Sequence, residues 1–297
     1  QAESFDGTSW TEKADLATAT QQLSGNRGTS SSAIAAGGLA PSYTAATEEF
    51  NSSLNVITAG AWASGTAMNT PAAYRFGMGT STTTLAAGGS PLTGNSEEHN
   101  GTSWVEGTNL GTSRYEGGSA GTQTAGLAFG GYSTTHEDKT EEYDGSSWTS
   151  QNTLNTAGYS QGGFGIQTAA VYTNRFTPGL TADTEEYDGT SWTEGNNSST
   201  SRADVGTAGT LTAGLIFGGQ TPPPVVTGAT EEYDGTNWTT GNAMSNTRSQ
   251  LGGSGIQTAA IAFGGRYTPP GSVLRDYVEQ YDGTTWSTAP SLGTAKR

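Results

Sequence analysis

The chain has 297 residues, 45 glycines, no cysteine and a formal net charge of −15. The lack of cysteine excludes disulfides and thiolate metal ligands, and the excess of acid argues against binding to a nucleic-acid backbone. No apolar run reaches the ~18 residues of a membrane-spanning helix, so we expect no membrane insertion.

One short motif recurs along the whole chain. Its clearest copy, TEEYDGTSWT at 184–193, ends just after a tryptophan, and each of the seven tryptophans stands in such a copy. Successive tryptophans lie 42 to 52 residues apart, which is the spacing of one four-stranded propeller blade. An apolar run ending in a glycine pair precedes most copies, as at Gly130-Gly131, but the copy at 170–174 lacks the glycines. We therefore interpret the chain as a repeat protein.

The repeats divide a single domain, 1–297, into consecutive units. Residues 1–15 supply the outer half of one blade, and 291–297 match the start of another. The complete repeats between them are 16–66, 67–108, 109–152, 153–196, 197–242 and 243–290. We predict an all-β propeller of four-stranded antiparallel blades, seven in number with the last incomplete; six blades is the alternative. Either the chain is clipped after Arg297, or a neighbouring molecule completes the last blade by self-assembly.

The last complete repeat shows how a blade is expected to form. Residues 248–255, rich in Gly and Ser, are the predicted innermost strand, where only small side chains fit. The second strand is predicted at 256–265, the third at 278–282, and the outermost runs through Trp286. The pair Asp282-Gly283 predicts a hairpin with a type I′ turn. Because Asn100 replaces the aspartate in one repeat, we interpret this residue as structural and not as a calcium ligand.

Tyrosines and tryptophans of the two outer strands are the predicted packing anchors between blades. Each can bury about 150–250 Å². The two-residue alternation of a strand places Tyr143 and Glu141 on the same face. Arg114, Arg202 and Arg248 share a register and are expected to pair with the repeated glutamates. The anchors are Trp104, Trp148, Trp192, Trp238, Trp286, Tyr143, Tyr187, Tyr233 and Tyr281.

The combination of a glycine pair, a Tyr-Asp pair and a tryptophan after the turn resembles the kelch repeat over nearly the whole chain. Two segments, TEEYDGTSWT and the GTQTAGLAFGG segment at 121–131, are most similar to the kelch-like repeats of marine bacteriophage structural proteins. This resemblance implies a β-propeller that belongs to a virus particle.

Catalytic sites known on such propellers are not matched. The copper oxidases of kelch-like fold need a cysteine cross-linked to a tyrosine together with imidazole ligands, and this chain has no cysteine and two histidines. His99 takes the tyrosine position of its repeat, and His136 lies in a loop. We therefore predict no catalytic residue, no metal site and no cofactor. A hydrolase that uses carboxylates is the remaining enzymatic alternative.

The loops between the second and third strands differ in length and sequence, whereas the hairpin turns are short and uniform. These loops span 39–46, 90–96, 132–139, 175–183, 220–229 and 266–276. They share one face of a propeller, and varied loops on a rigid scaffold are typical of binding. The predicted binding residues on this variable-loop face are Tyr43, Tyr132, His136, Phe176, Pro223, Arg266 and Tyr267.

These features together predict a non-enzymatic module on the virion surface, either structural or used for host attachment. Its loops would contact a host-surface glycan or a neighbouring virion protein. The alternative is a secreted, extracellular, lectin-like adhesin, and the third candidate is a carboxylate-dependent glycan hydrolase.

Overall fold

The protein is represented by a computed structural model. It describes residues 66–160, 162–223, 225–267 and 273–289 in full, and before residue 66 only the backbones of strands. Every strand pairing in it is antiparallel, and none of the described residues forms an α-helix, as predicted for an all-β chain. The described part accordingly contains no helix long and apolar enough to cross a membrane.

The strands before residue 66 form three sheets. They are β1 (Ala2–Phe5), β2 (Trp10–Lys13), β3 (Ser24–Gly25), β4 (Ser32–Ala36), β5 (Leu39–Ala40), β6 (Ser42–Tyr43), β7 (Thr47–Asn51) and β8 (Ala61–Ser64). Strands β1 and β2 pair as a hairpin, as do β5 and β6. The order β3-β4-β7-β8 makes a four-stranded sheet, which we call the amino-terminal sheet.

Five four-stranded blades, A to E, follow along the chain. Blade A has β9 (Phe76–Gly79), β10 (Thr84–Ala87), β11 (Ser96–His99) and β12 (Trp104–Glu106). Blade B has β13 (Gly118–Thr122), β14 (Ala125–Phe129), β15 (Thr140–Tyr143) and β16 (Trp148–Ser150). Blade C has β17 (Gly163–Ile166), β18 (Ala169–Thr173), β19 (Thr184–Tyr187) and β20 (Trp192–Glu194).

Blades D and E each carry an additional hairpin in the loop between their second and third strands. Blade D has β21 (Gly206–Thr210), β22 (Ala213–Phe217), the hairpin β23 (Gln220–Thr221) and β24 (Val225–Val226), then β25 (Thr230–Tyr233) and β26 (Trp238–Gly241). Blade E has β27 (Gly252–Ile256), β28 (Ala259–Phe263), the hairpin β29 (Arg266–Tyr267) and β30 (Val273–Leu274), then β31 (Val278–Tyr281) and β32 (Trp286–Ala289).

The innermost strands β9, β13, β17, β21 and β27 contact one another in chain order, so the blades are arranged around a common axis as in a propeller. Glycine permits this close approach: a Cβ on Gly163 would lie 2.9 Å from the Cα of Gly118 in the preceding blade. The glycine-rich innermost strand is therefore confirmed. In the last repeat it begins at Gly252, later than the predicted 248, because 248–251 belong to the crossover between blades.

The number of blades differs from the prediction. The sequence predicts seven with the last incomplete, or six, whereas the residues described in full contain five. The amino-terminal sheet is a further four-stranded sheet, of which only strand backbones are described. Strands β1 and β2 form a two-stranded sheet of their own, and they lie against the outer strand β8 of the amino-terminal sheet. The predicted start of a further blade, 291–297, lies outside the described residues.

The outer strands contact the preceding blade through tyrosine and tryptophan. Between blades B and C, the Tyr187 hydroxyl donates to Glu142 at 2.9 Å, and Trp192 Nε1 donates to Thr140 Oγ1 at 2.8 Å. The equivalent bonds at the other interfaces run from Tyr143 to Glu98, Tyr233 to Glu186, Tyr281 to Glu232, Trp148 to Ser96, Trp238 to Thr184 and Trp286 to Thr230. Trp104 packs instead with Met68 and Ala86. The second glutamate of each pair is thus an acceptor for the next blade.

The Asp-Gly turns close hairpins by a geometry that differs from the predicted type I′ turn. A type I′ turn needs positive φ at both central residues, but in blade B only Gly145 has it, at 91°. Asp144 Oδ1 instead accepts the backbone N–H groups of Ser146 and Ser147, each at 2.8 Å. Together with the Ser146 hydroxyl, these bonds lower the pKa of Asp144 to about 2. In blade A the amide oxygen of Asn100 accepts the two equivalent N–H groups, those of Thr102 and Ser103. Asparagine can therefore replace aspartate in this turn.

Each of blades A to E contains one buried arginine–glutamate pair. In blades B, D and E the arginine comes from the predicted register, and the pairs are Arg114–Glu141, Arg202–Glu231 and Arg248–Glu279. Blade A uses Arg75, 3.3 Å from Glu97, and blade C uses Arg175, 2.6 Å from Glu185. The guanidinium therefore reaches the same carboxylate from three different positions of the repeat.

Blade C shows how one of these positions replaces another. Gly158 stands where blade B has its arginine, while Asn174 and Arg175 stand where blade B has the pair Gly130-Gly131. A Cβ on Gly158 would lie 2.8 Å from Arg175 Cδ, so the arginine stem occupies the space that the glycine leaves. Asn174 keeps the positive φ of the glycine that it replaces, 53° against 61°. The two departures of this repeat are thus linked: glycine replaces the arginine at 158, and the arginine at 175 replaces a glycine and fills the space.

Candidate binding site at the crossover face

The candidate site lies where the chain passes between strand pairs and between blades. Antiparallel strands alternate in direction, so the loop between strands two and three and the crossover to the next blade emerge at the same end. We call this end the crossover face. The described parts of its loops are 88–95, 130–139, 174–183, 218–223, 225–229, 264–267 and 273–277, and those of its crossovers are 66–75, 107–117, 151–160, 195–205 and 242–251. The hairpin turns, including the Asp-Gly turns, lie at the opposite end.

One residue of each crossover, just before the innermost strand, adopts positive φ. These five residues, which we call the axial ring, are Tyr74, Glu116, Ser160, Asp204 and Gln250, with φ between 53° and 103°. They are linked from blade to blade: Glu116 N donates to Tyr74 O, Ser160 N to Glu116 O and Gln250 N to Asp204 O at 2.8 to 3.0 Å. Asp204 N donates to Ser160 Oγ at 2.7 Å. Glycine adopts this conformation more readily, yet none of the five is a glycine.

The residue before each ring member pairs with the start of a loop. Tyr159 and Phe176 donate N–H groups to each other's carbonyls at 3.0 and 2.7 Å, and Tyr115 and Tyr132 do so at 3.0 and 2.8 Å. Ser249 and Arg266 form the same pair at 3.0 and 2.8 Å. Three residues that the sequence analysis assigned to the variable loops, Tyr132, Phe176 and Arg266, therefore lie beside the axial ring.

Six rings from the crossovers and loops of blades A to C form a continuous row. Ring centroids are 6.2 Å apart for Tyr74 and Tyr115, 5.8 Å for Tyr115 and Tyr132, and 5.4 Å for Tyr132 and Tyr159. Phe176 lies 5.2 Å from Tyr159, and the sixth ring, a histidine, lies 5.2 Å from Tyr159 as well. All six are partly exposed. This aromatic row comprises Tyr74, Tyr115, Tyr132, His136, Tyr159 and Phe176.

Two carboxyl groups and one guanidinium interact at the axial ring. Burial raises the pKa of Glu116 to about 8; the charge of Asp204 raises it further, and Arg266 opposes the rise. Burial also raises the pKa of Asp204, against the effects of Arg266 and of a hydrogen bond with the Gln250 side chain. Burial raises the pKa of the Tyr159 hydroxyl, and both carboxyl groups add to that shift. The charges of Glu116 and Asp204 therefore act on one ring of the aromatic row, that of Tyr159.

Two buried polar atoms at the axial ring have no hydrogen-bond partner among the described residues. They are the acceptor Gln250 Oε1 and the donor Arg266 Nε. Burying a polar atom without a partner costs free energy, so such atoms call for an explanation. The Nε atoms of Arg202 and Arg248 in the structural ion pairs are buried in the same way, so these two atoms do not by themselves mark a binding site.

The other predicted binding residues lie apart from the row. Tyr267 contacts Arg275, whose Cζ is 5.4 Å from the ring centroids of both Tyr267 and Tyr277. Pro223 is exposed in the loop of blade D. The side chain of Tyr43 lies outside the described residues. The predicted residues that the structure brings together are thus Tyr132, His136, Phe176 and Arg266.

Sequence reasoning missed the site residues that come from the crossovers. They are Tyr74, Tyr115, Glu116, Tyr159, Asp204 and Gln250. One signal was available in the repeats. In blades B, D and E the ring residue stands two positions after the repeated arginine, in the middle of a variable stretch that reads Tyr-Glu-Gly, Ala-Asp-Val and Ser-Gln-Leu between segments that recur. A short variable stretch inside a repeated segment is a candidate functional position.

The site is suited to binding polar ligands and carries no metal cluster. Among the described residues, no group of three or more His, Asp and Glu side chains could hold a metal ion. A protonated Glu116 can donate a hydrogen bond near neutral pH, and the rings offer apolar faces beside it. Carboxyl donors and acceptors next to aromatic faces suit a ligand that is both polar and ring-shaped.

Comparison with known proteins supports the architecture. No protein-family model matches the chain, and no curated protein sequence matches it. Among solved structures, the one described as "Structure of YjhT" is similar, with a TM-score of 0.73 and 11% identity over 93% of this chain and 99% of that chain. At this identity the likeness shows the fold alone, and it agrees with the arrangement of the blades: the chain folds as a β-propeller.

Proposed function

We propose that this propeller is a non-enzymatic binding module that takes a glycan at the aromatic row. The row itself carries the proposal, because six partly exposed rings with neighbouring centroids 5.2 to 6.2 Å apart form one continuous surface. Sugar rings pack their C–H faces on aromatic side chains, while their hydroxyls need polar partners such as those of the axial ring. Backbone hydrogen bonds join the crossovers to the loops at Tyr115–Tyr132 and Tyr159–Phe176, and holding the rings in place before binding lowers the entropy cost.

The proposal predicts that the row, and not aromatic residues of this face in general, governs binding. Glycans that bind in an array of neutral, acidic and amino sugars would be titrated by calorimetry against variants. Tyr132→Ala and Tyr159→Ala are expected to weaken binding about tenfold or more, since stacking contributes about 1 kcal/mol beyond the buried area. Tyr267→Ala is the matched control and should bind like the wild type. Binding of no glycan, or an equal loss in Tyr267→Ala, would contradict the proposal.

We place the module on a virus particle, as a structural or host-attachment protein with kelch-like repeats. The support is the resemblance of its TEEYDGTSWT and GTQTAGLAFGG segments to bacteriophage repeats. Co-sedimentation with particles through a density gradient, resistant to a salt wash, is the expected result. Recovery only in the soluble fraction would favour a secreted adhesin, and release of reducing ends during the glycan titration would favour the hydrolase.

We also propose that the amino-terminal sheet closes the ring as a sixth blade. Its inner strand β3 contacts both β27 of blade E and β9 of blade A, which is the position of a blade between them. The competing arrangement is the seventh, incomplete blade completed by a second molecule.

A further inference from the structure

We propose that blades B and C carry two adjoining sugar subsites, so that the ligand is a linear oligosaccharide with consecutive units on the two blades. The unit on blade B is the more polar of the two. This inference rests on the proposed function and names the minimum length and the polarity of the glycan.

The fold does not require the rings on which the two subsites are built. Each blade from A to E pairs the residue before its axial-ring member with a residue at the start of its loop. In blades B and C both partners are aromatic, Tyr115 with Tyr132 and Tyr159 with Phe176. In the other three blades neither partner is aromatic. Those pairs are Ala73–Ser90, Ala203–Gln220 and Ser249–Arg266. The backbone pair is therefore structural, whereas the partly exposed rings of two neighbouring blades form an additional surface.

The loops of blades B and C, 130–139 and 174–183, are equal in length and in their hydrogen bonds. In each loop the aromatic residue forms a backbone bridge with the residue four positions on, which is His136 in blade B and Leu180 in blade C. The residue after the bridge donates its N–H to the carbonyl of the residue before the aromatic one, at 2.8 Å in blade B and 3.0 Å in blade C. The two blades thus present the same three positions. Subsite B consists of Tyr115, Tyr132 and His136, and subsite C consists of Tyr159, Phe176 and Leu180.

His136 joins the two subsites. The centroid of its ring lies 5.9 Å from that of Tyr132 in its own subsite. It lies 5.2 Å from the ring of Tyr159 and 6.0 Å from that of Phe176, both in subsite C. The rings of Tyr132 and Tyr159 are also neighbours, 5.4 Å apart. Because the subsites adjoin, a sugar that stacks on one is followed directly by the next sugar on the other, and a single sugar uses only half of the surface.

The two subsites differ in polarity at both loop positions. Subsite B has the Tyr132 hydroxyl and the ring nitrogens of His136, which donate and accept hydrogen bonds. Subsite C has Phe176 and Leu180 at these positions, and neither side chain carries a polar atom. A sugar hydroxyl held against them loses its hydrogen bonds to water without replacement. Subsite C therefore favours a unit with fewer hydroxyls, such as a 6-deoxy sugar, and subsite B a fully hydroxylated one.

The first test is the length of the glycan. Mono- and disaccharides of hexoses and 6-deoxyhexoses would be screened on an array, and each disaccharide that binds would be titrated by calorimetry beside its component sugars. We expect the disaccharide to bind about tenfold more tightly than either component. Phe176→Ala should reduce its affinity to that of a single sugar, whereas the control Tyr267→Ala should leave the difference unchanged.

The outcomes of this test separate the inference from the proposed function. Equal affinity for the disaccharide and for one of its components, with binding still lost in Tyr132→Ala, would overturn the two subsites and leave the proposed function standing. Equal loss of the length dependence in Tyr267→Ala would also overturn them. Binding of no glycan at all would overturn both proposals.

The second test exchanges the loop residues of the two subsites. Phe176→Tyr/Leu180→His gives subsite C the loop residues of subsite B, on a backbone that already carries them in the other blade. The wild type should prefer disaccharides with one 6-deoxy unit over fully hydroxylated ones about fourfold, the effect of burying one methyl group. The exchange should remove this preference, and Tyr132→Phe/His136→Leu should extend it to disaccharides with two 6-deoxy units. A preference that neither exchange alters would overturn the assigned polarity, and thermal unfolding confirms that each variant is folded.

Discussion

Glu116 shows what a single residue of the axial ring does to this protein. It holds a positive φ of 59°, a conformation that is uncommon outside glycine, and burial raises the pKa of its carboxyl to about 8. Both features cost stability, and a glycine at this position would avoid both. A side chain kept under such conditions supports our proposal that this face of the propeller binds a ligand.

The raised pKa of Glu116 predicts how stability varies with pH. Below the ordinary value of 4.5 the carboxyl is protonated in both the folded and the unfolded chain; between 4.5 and about 8 only the folded chain keeps the proton. The contribution of Glu116 to stability is therefore full below 4.5 and is lost as pH rises through 8. We expect Glu116→Gln to gain about 2–4 kcal/mol over the wild type between pH 4 and pH 9, less than the full shift because the side chain is partly exposed. Urea unfolding of both proteins across this pH range measures the difference in their free energies of unfolding. A difference that stays constant with pH would show the prediction to be wrong.

At the scale of the element, each blade pairs one buried guanidinium with the first glutamate of its third strand. The arginine that supplies it can stand at different positions of the repeat. Blade C meets this requirement from the end of its second strand, where Arg175 lies 2.6 Å from Glu185. Glu185 also accepts the N–H groups of Asn155 and Thr156 at 2.7 and 3.1 Å, so the carboxylate ties the preceding crossover to the strand. The ion pair thus fixes the path of the chain into the blade.

The exchange in blade C predicts a strong coupling between distant positions. Arg175→Gly should cost about 3–5 kcal/mol, because it leaves Glu185 buried without a countercharge. Gly158→Arg alone should also destabilise, since its side chain would meet the Arg175 stem. The combined variant Gly158→Arg/Asn174→Gly/Arg175→Gly recreates the arrangement of blade B and should recover most of the loss. Denaturant unfolding of the three variants measures the change in the free energy of unfolding of each. If the changes of the single variants simply add in the combined variant, the two positions are independent.

At the scale of the whole molecule, stability depends on interfaces between blades. Each interface from A to E has a tyrosine hydroxyl on a glutamate and a tryptophan N–H on a Ser or Thr of the preceding blade. The β1–β2 hairpin is different, because it lies against the outer strand β8 and not at the axis. A ring closed by the amino-terminal sheet therefore does not need this hairpin.

Ring closure by the amino-terminal sheet predicts the behaviour of a truncated chain. Deletion of residues 1–15 should leave a monomer that unfolds in one transition, with a midpoint close to that of the full chain. Analytical ultracentrifugation and thermal unfolding followed by two probes measure this. Dimers of the full chain that dissociate on deletion would instead favour a seventh blade completed by a second molecule.

Much of the blade was predictable from single residues, because the interactions of a repeat recur at a fixed spacing. The alternation in the third strand correctly places Glu141 and Tyr143 on one face, and the structure turns that face toward the preceding blade. The recurring glutamine of the GTQT segment at 121–124 and the GIQT segments at 165–168 and 255–258 was visible too, but its role was not. Gln167 Nε2 donates to the carbonyls of Gly126 and Tyr143 in the preceding blade at 3.1 and 2.8 Å. Backbone carbonyls carry no sequence signal, so such bonds cannot be inferred from residue types.

The sequence by itself determined the all-β class, the four-strand period and the pairing of repeated arginines with repeated glutamates, since these follow from local patterns. Only the tertiary structure decided how the amino-terminal strands are used, where Arg175 finds its partner, and which side chains share the axis. Glu116, Asp204 and Arg266 come from separate blades and interact only because the blades are arranged around a common axis. Long-range interactions of this kind depend on the angle between successive blades. That angle is set by packing between the blades, and no local sequence pattern encodes it.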